Sequence, residues 1–246
     1  MTVNVMVYPR LLWGYIVDLI FPYRCVVCGK YLDLGHLCPA CFNALPIKKQ
    51  NECIGCGHPT ILGKTCPFCR GSCATDQLLV VSDYKDKSVS SIIKLLKYRF
   101  LSDLTEPLSR LTFKYLDHLA RRDGLSIVHG NPLLVAVPLH KNREYWRGFN
   151  QAKILAKLIA RHYRLDYHPA LVRSKYAIPQ ADLSAKPERQ SNVCGLYVCH
   201  DHKIVFGRNI ILVDDVCTTG ATLNECARIL KDAGALHVTA LAIARG

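Results

Sequence analysis

No stretch of this chain is long and apolar enough to cross a bilayer. The longest candidate, Leu11 to Phe21, is interrupted by Asp18 and falls short of the roughly 20 residues a spanning helix requires. A basic leader and a small-residue cleavage site are also missing, which makes a cytoplasmic location the expectation. Acidic charge is scarce: 19 Asp and Glu stand against 32 Lys and Arg, a formal net charge of +13 over 246 residues. That balance suits a polyanionic partner. With 50% hydrophobic and only 21% charged residues, the chain is not intrinsically disordered and can bury one or two cores. What it has in excess is cysteine, 13 in all. In a reducing compartment these point to metal ligation rather than disulfides.

Eight of the cysteines form four C-x-x-C pairs: Cys25/Cys28, Cys38/Cys41, Cys53/Cys56 and Cys66/Cys69. CVVCGKYLDLGHLCPACF and CIGCGHPTILGKTCPFCR are two copies of one pattern with a period of 28 residues. Each has Gly after its first pair (Gly29, Gly57) and Pro inside its second (Pro39, Pro67). Two cysteines separated by two residues on a tight turn aim both thiolates at one ion, and Gly supplies the positive φ such a turn needs. Four thiolates complete a closed tetrahedral site, structural rather than catalytic. Redox pairs or buried free thiols would not require two matched copies. Spacing does not decide whether each repeat binds its own ion or the two interleave; two Zn²⁺ ions, one per repeat, are the expectation, with His36 and His58 as bystanders. Cys73, Cys194, Cys199, Cys217 and Cys226 follow no such pattern and read as small buried residues. The expected organisation is an N-terminal helix within residues 1–24, its apolar positions Leu12, Ile16, Leu19 and Ile20 packed on the protein's own core, then a double zinc ribbon over 25–76.

From about residue 77 to 246, strand-like runs alternate with helical patterns. Strands are expected at 78–82, 131–139, 209–216 and 237–244, and helices at 89–100, 103–120, 149–163 and 222–235. Such alternation implies βαβ units and a mostly parallel α/β sheet flanked by helices. The run Ile210 to Val213 is uniformly apolar, as a strand buried on both faces should be. It delivers Asp214 and Asp215 to its carboxyl end, where ligands bind in open α/β sheets. Thr218, Thr219, Gly220, Ala221 and Thr222 then open a helix, offering hydroxyls and backbone N–H groups to an anion. Paired carboxylates for a diol beside a phosphate cradle describe a ribose 5-phosphate site. Two charges at the end of so apolar a strand are costly without a ligand role.

This stretch resembles the signature of type I phosphoribosyltransferases. The resemblance implies that Asp214 and Asp215 hold the ribose hydroxyls of phosphoribosyl pyrophosphate (PRPP), that Thr218 to Thr222 bind its 5-phosphate, and that Mg²⁺ accompanies the pyrophosphate. VAVPLHKNREYWRGFNQA (135–152), the polar excursion over 171–192 and KLLKYRF (94–100), taken with the cysteine repeats, are similar to the ComF family. Those are competence-associated, phosphoribosyltransferase-like proteins linked to DNA uptake and natural transformation. By that resemblance the segment after Val137 is the pyrophosphate loop and 174–191 a flexible loop over PRPP. Lys97, Arg99, Lys141, Arg143, Arg147 and Arg189 are its candidate contacts to pyrophosphate or DNA phosphate.

Transferases of this type carry a separate hood element that selects the acceptor, and no segment stands out as one. Two functional classes follow. One is a PRPP-site protein handling single-stranded DNA, with DNA-uptake machinery as partner. In it Tyr98, Tyr145, Trp146 and Phe149 are stacking candidates among Lys and Arg, each with core packing as its competing role. The other is a phosphoribosyltransferase of nucleobase or nucleotide salvage in which zinc serves only stability. A protein-interaction adaptor built on the zinc ribbons is a third reading, compatible with the first. Residues 140–175 carry 9 basic and 2 acidic groups, so the α/β region is the expected polyanion surface.

Overall fold

The computed structural model describes residues 23–98, 101–173 and 195–246. The helix expected over 9–21, the loop over 174–191, and Arg99, Arg189 and Cys194 lie outside the described residues. Two compact units divide between Leu45 and Pro46. The second cysteine repeat therefore lies in the larger unit, together with the α/β region expected over 77–246.

The smaller unit contains the first repeat and one short helix, α1 (Pro39–Ala44), which starts inside the second knuckle with Pro39 at its first turn. In the larger unit the second repeat leads into β1 (Gln77–Asp83), followed by α2 (Lys87–Tyr98) and α3 (Thr105–Asp123). Next come β2 (Leu133–Ala136), a short α4 (Lys141–Arg147) and α5 (Gln151–Tyr163). The chain closes with β3 (Leu171–Arg173), β4 (Tyr197–Cys199), α6 (His202–Val205), β5 (Asn209–Cys217), α7 (Ala221–Asp232) and β6 (His237–Arg245). No described helix is long and apolar enough to cross a membrane.

The main sheet has the order β1-β6-β5-β2, and every pairing in it is parallel. A parallel sheet covered on both faces calls for unbroken apolar runs, and Ile210 to Val213 and Val238 to Ala244 (Thr239 apart) supply the two central strands. Register sets Ile210 beside Val238 and Leu133, and Val213 beside Leu241 and Ala136. Beyond β2 the ladder extends one step: Leu134 N–H donates to Asp166 O at 2.8 Å and accepts at its carbonyl from His168 N–H at 3.0 Å.

Because successive strand residues face opposite ways, the core has two layers. Leu78, Val80, Leu133, Val135, Ile210, Leu212, Val238 and Ala240 pack with Leu223, Cys226, Ala227 and Leu230 of α7. Leu79, Val81, Leu134, Ile211, Leu241 and Ile243 are equally buried and face the other side, where α5 packs on β2 and β5 and α3 packs on α5. The antiparallel pair β3–β4 forms a separate small sheet.

The second repeat is built into this unit. Tyr115 of α3 donates its hydroxyl to Asn51 Oδ1 at 2.6 Å, and Gln77 Nε2 of β1 donates to Leu62 O at 2.7 Å. Thr65 N–H donates to Asp76 O at 2.9 Å, and Lys64 bridges to Gln77.

Candidate functional site

The carboxyl ends of β5 and β2 open into a cleft of about 240 Å³. Asp214 and Asp215 form one wall. Thr222 of α7 and Tyr197 of β4 lie beside them, and Lys97 and Tyr98 close the end of α2 over them. The opposite wall is Val137, Pro138, Arg143, Arg147, Asn150 and Gln151, with Arg173 from β3. Lys97, Arg143, Arg147 and Arg173 thus face two aspartates, and the cleft is cationic on balance.

The local folding of each wall is specific. After β2 the chain turns at Pro138 and forms α4, capped by His140 Nδ1 and ended by Gly148 at φ 74°. Arg143 and Arg147 therefore ride on a short helix, where a loop was expected from the flanking Pro and Gly. Asn150 then starts α5. Its Oδ1 accepts from Lys153 N–H at 3.2 Å, capping the helix, while its Nδ2 donates to Val137 O at 3.1 Å. One buried side chain thus fixes the end of β2 to the start of α5.

Lys97 Nζ pairs with Asp215 Oδ1 at 2.9 Å in a partly shielded position. Asp214 accepts the Asp215 N–H at 2.8 Å. Burial, and then the adjacent Asp215 charge, push the Asp214 carboxyl up to about 7, with the N–H bond and Lys97 opposing. Near neutrality Asp214 is thus poised between donor and acceptor forms.

Three donors in this cleft have no hydrogen-bond partner among the described residues: Arg147 Nε, Gln151 Nε2 and Arg173 Nε. Gln151 is 1% exposed, and its Oε1 accepts from Arg147 at 3.4 Å. Arg147 lies over the Tyr98 ring and Arg173 over the Tyr197 ring, each at 5.7 Å. Buried donors without acceptors cost free energy unless a ligand supplies one.

Of the residues expected at the site, the cleft gathers Asp214, Asp215, Thr222, Lys97, Arg143 and Arg147. Lys141 lines an adjoining cavity instead, with Tyr167 and His200. Thr219, Gly220 and Ala221 line a hollow of about 390 Å³ against the second cysteine repeat, and Thr218 is exposed. Thr219 Oγ1 accepts from Ala221 N–H at 3.3 Å. Gln151 and Tyr197 were not among the expected contacts. The signal for Gln151 was its place in the R-G-F-N-Q turn, on the same helical stripe as Leu155 and Ile159. Tyr145 is 92% and Trp146 60% exposed, beside Arg143 and Arg147 on α4.

The eight knuckle cysteines form two clusters, Cys25/Cys28/Cys38/Cys41 and Cys53/Cys56/Cys66/Cys69, each with its ligand atoms within 4.8 Å of one another. Both repeats thus build their own four-sulfur site, and no histidine joins either among the described residues. Sγ separations of 3.9 Å (Cys28–Cys38) and 3.8 Å (Cys56–Cys66) match a tetrahedron with Zn–S bonds of about 2.3 Å, whose sulfurs lie about 3.8 Å apart. Burial raises the Cys25 and Cys53 thiols, but backbone N–H groups of their own knuckles and of Cys38 and Cys66 outweigh it and bring both down to about 6. Hydrogen bonding to Cys38 and Cys66 respectively, followed by burial, pushes Cys41 and Cys69 up to about 12. These cysteines would hold Zn²⁺ as four thiolates, which would remove that conflict.

Residues 16–77 match the double zinc ribbon domain, and residues 147–246 the phosphoribosyl transferase domain. The DNA utilization protein YhgH of Escherichia coli (strain K12) is 33% identical over 235 residues, covering 91% of this chain and 97% of that protein. Competence protein F of Haemophilus influenzae is 28% identical over 230 residues, 92% and 98% of the two chains. Competence protein ComFC of Bacillus subtilis is 40% identical over 102 residues, 42% of this chain and 39% of that one.

Proposed function

The chain belongs to the ComF family of competence protein F and the DNA utilization protein YhgH, and from that premise we propose that its cleft is a PRPP-type ribose-phosphate site beside a surface that handles single-stranded DNA during natural transformation. The observation that carries this reading is the meeting of two unlike groups in one cleft: Asp214 and Asp215, and three buried donors on Arg147, Gln151 and Arg173 that have no partner among the described residues. Carboxylates accept from a vicinal diol, and arginines take phosphate oxygens bidentately. Asp214 and Asp215 hold the ribose hydroxyls, with Lys97 yielding part of its hold on Asp215. Arg143 and Arg147 take the pyrophosphate end, joined by Arg173, and Thr218 to Thr222 take the 5-phosphate. Mg²⁺ bound with the pyrophosphate would neutralise part of its charge.

Tyr145 and Trp146 project from α4 next to those arginines. Exposed aromatics interleaved with cations are how single strands are held without sequence preference. Strand and ribose phosphate therefore meet on one surface, in the cytoplasm, with the DNA-uptake machinery as the source of the strand.

The phosphoribosyl transferase match over 147–246 also supports a second reading, an active transferase of nucleobase or nucleotide salvage. In that case pyrophosphate leaves the anomeric carbon through an oxocarbenium-like transition state. The chain contributes positioning and charge rather than a nucleophile.

Equilibrium binding of labelled PRPP and of a single-stranded oligonucleotide to one sample, each competing with the other, tests the proposal. Binding of both, with oligonucleotide affinity falling steeply in salt, is the expected result. Pyrophosphate release with a free base and no strand binding would favour salvage.

A further inference from the structure

The loop assigned to the 5-phosphate does not stand on the α/β core alone. Gly220, at φ +80°, sits so close to the second knuckle that a Cβ there would meet Ile54 Cγ1 at 2.7 Å and Ile54 O at 3.3 Å. Ile54 is 1% exposed and packs in the same cluster as Cys217, the last residue of β5, and Leu223, in the first turn of α7. It therefore touches down between the two ends of the loop.

Ile54 itself lies between metal ligand Cys53 and Gly55, where a Cβ would come within 2.8 Å of Cys69 Sγ. The knuckle backbone thus has little freedom once four sulfurs are gathered. Polar ties hold the same seam. Arg245, paired in register with Cys217, donates to Cys53 O and Ile54 O, both at 3.0 Å. Asn224 of α7 accepts from Ala74 N–H at 2.7 Å and Thr75 N–H at 3.3 Å. Next to this seam lies the hollow bounded by Ile54, Gly55, Cys56 and Cys69 on one side and Thr219, Gly220 and Ala221 on the other. It gives the loop room to move if Ile54 withdraws.

We infer that zinc at Cys53, Cys56, Cys66 and Cys69 and a ribose phosphate at the Asp214 to Thr222 segment bind with positive coupling, transmitted by Ile54 as a positioning residue against Gly220. The inference rests on the ribose-phosphate reading. It makes the second zinc site a determinant of ligand affinity and not only of stability, and it assigns no such role to the first. Linkage is reciprocal: whatever factor zinc adds to PRPP affinity, PRPP adds to zinc affinity at that site.

The test is equilibrium competition for zinc between the full-length protein and a chromogenic chelator, with and without saturating PRPP and Mg²⁺. A Cys38→Ser protein, which keeps only the second site, identifies the share of the titration belonging to each cluster. PRPP should raise the zinc affinity of the second cluster by about 5- to 150-fold, the span of ordinary allosteric coupling, and leave the first unchanged. Ile54→Ala should weaken PRPP binding at least about fivefold while it is still folded and zinc-loaded, which a loss of stability alone would not do, and Ile54→Leu should restore most of it. If PRPP binds but raises the zinc affinity of neither cluster, or of both equally, the coupling is overturned while the ribose-phosphate reading stands. If the wild-type protein binds no PRPP, that reading falls and the coupling with it.

Discussion

The two cysteine repeats share one local structure and differ in what they rest on. A shift of 28 residues carries Cys25 N–H to Lys30 O onto Cys53 N–H to His58 O, both 2.8 Å, and the bridge Arg24–Tyr31 onto Glu52–Pro59. Cys38 N–H donates to Cys25 Sγ at 3.5 Å as Cys66 N–H does to Cys53 Sγ at 3.4 Å. Yet Val26 is partly exposed, whereas its counterpart Ile54 is 1% exposed within the core of the larger unit. The knuckle geometry is local and follows from ligand spacing. The use made of it is tertiary, decided by one apolar side chain and by Arg245 and Asn224 meeting it from elsewhere in the sequence.

The sharpest way to break this comparison is to empty one cluster at a time. Structural zinc is worth about 10–16 kcal/mol of apparent free energy in small zinc modules. Cys66→Ser should therefore lower the thermal midpoint of the larger unit by more than about 10 °C. Cys38→Ser should leave that transition within about 2 °C while halving bound zinc. Calorimetry with metal analysis checks both, and equal shifts would remove the distinction. Truncating the counterpart side chains is milder. Ile54→Ala should cost about 2–4 kcal/mol in denaturant unfolding, as buried large-to-small changes do, and Val26→Ala less than about 1 kcal/mol.

How far these differences were legible in the sequence depends on their range. The cysteine spacing, the unbroken apolar strand Ile210 to Val213 and the acid pair are local signals, and the structure places them in four-sulfur clusters, a central strand and a cleft wall, whereas Thr219 to Ala221 line the neighbouring hollow. Ile54 was not legible, because Val26 stands at the same point of the repeat and no periodicity separates them. Helix α4 was missed because KNREYWR is only two turns long and its stops, Pro138 and Gly148, also bound loops. Gln151 reads as polar, so its burial against Arg147 shows only when β2 and α5 are brought together.

Two smaller effects sharpen the comparison further. Gly29 and Gly220 both have positive φ, 75° and 80°, but Gly29 has open space where Gly220 meets Ile54. Gly29→Ala should cost about 1 kcal/mol, the backbone term alone, and Gly220→Ala about 2 kcal/mol or more, because a clash adds to it. Urea unfolding of the two variants measures the difference. The last effect belongs to the unit that holds the second repeat. With Asp214 raised to about 7 against about 3.9 unfolded, the folded state keeps the extra proton, and stability should fall as pH rises from about 4 to about 7. Asp214→Asn removes that slope, leaving the larger unit about 1–2 kcal/mol more stable than wild type at pH 8 and no more stable at pH 4. A pH series of melts in which the wild-type slope persists in the variant would contradict this.

Everything proposed for the cleft depends on its holding a ribose phosphate. The most direct measurement is equilibrium binding of PRPP with Mg²⁺ to the wild-type chain and to the Asp214→Ala, Asp215→Ala double variant, with zinc content and circular dichroism recorded on both. Saturable binding by the wild type, abolished in the variant at unchanged zinc and fold, is the predicted result. Equal affinity in the two proteins would contradict it.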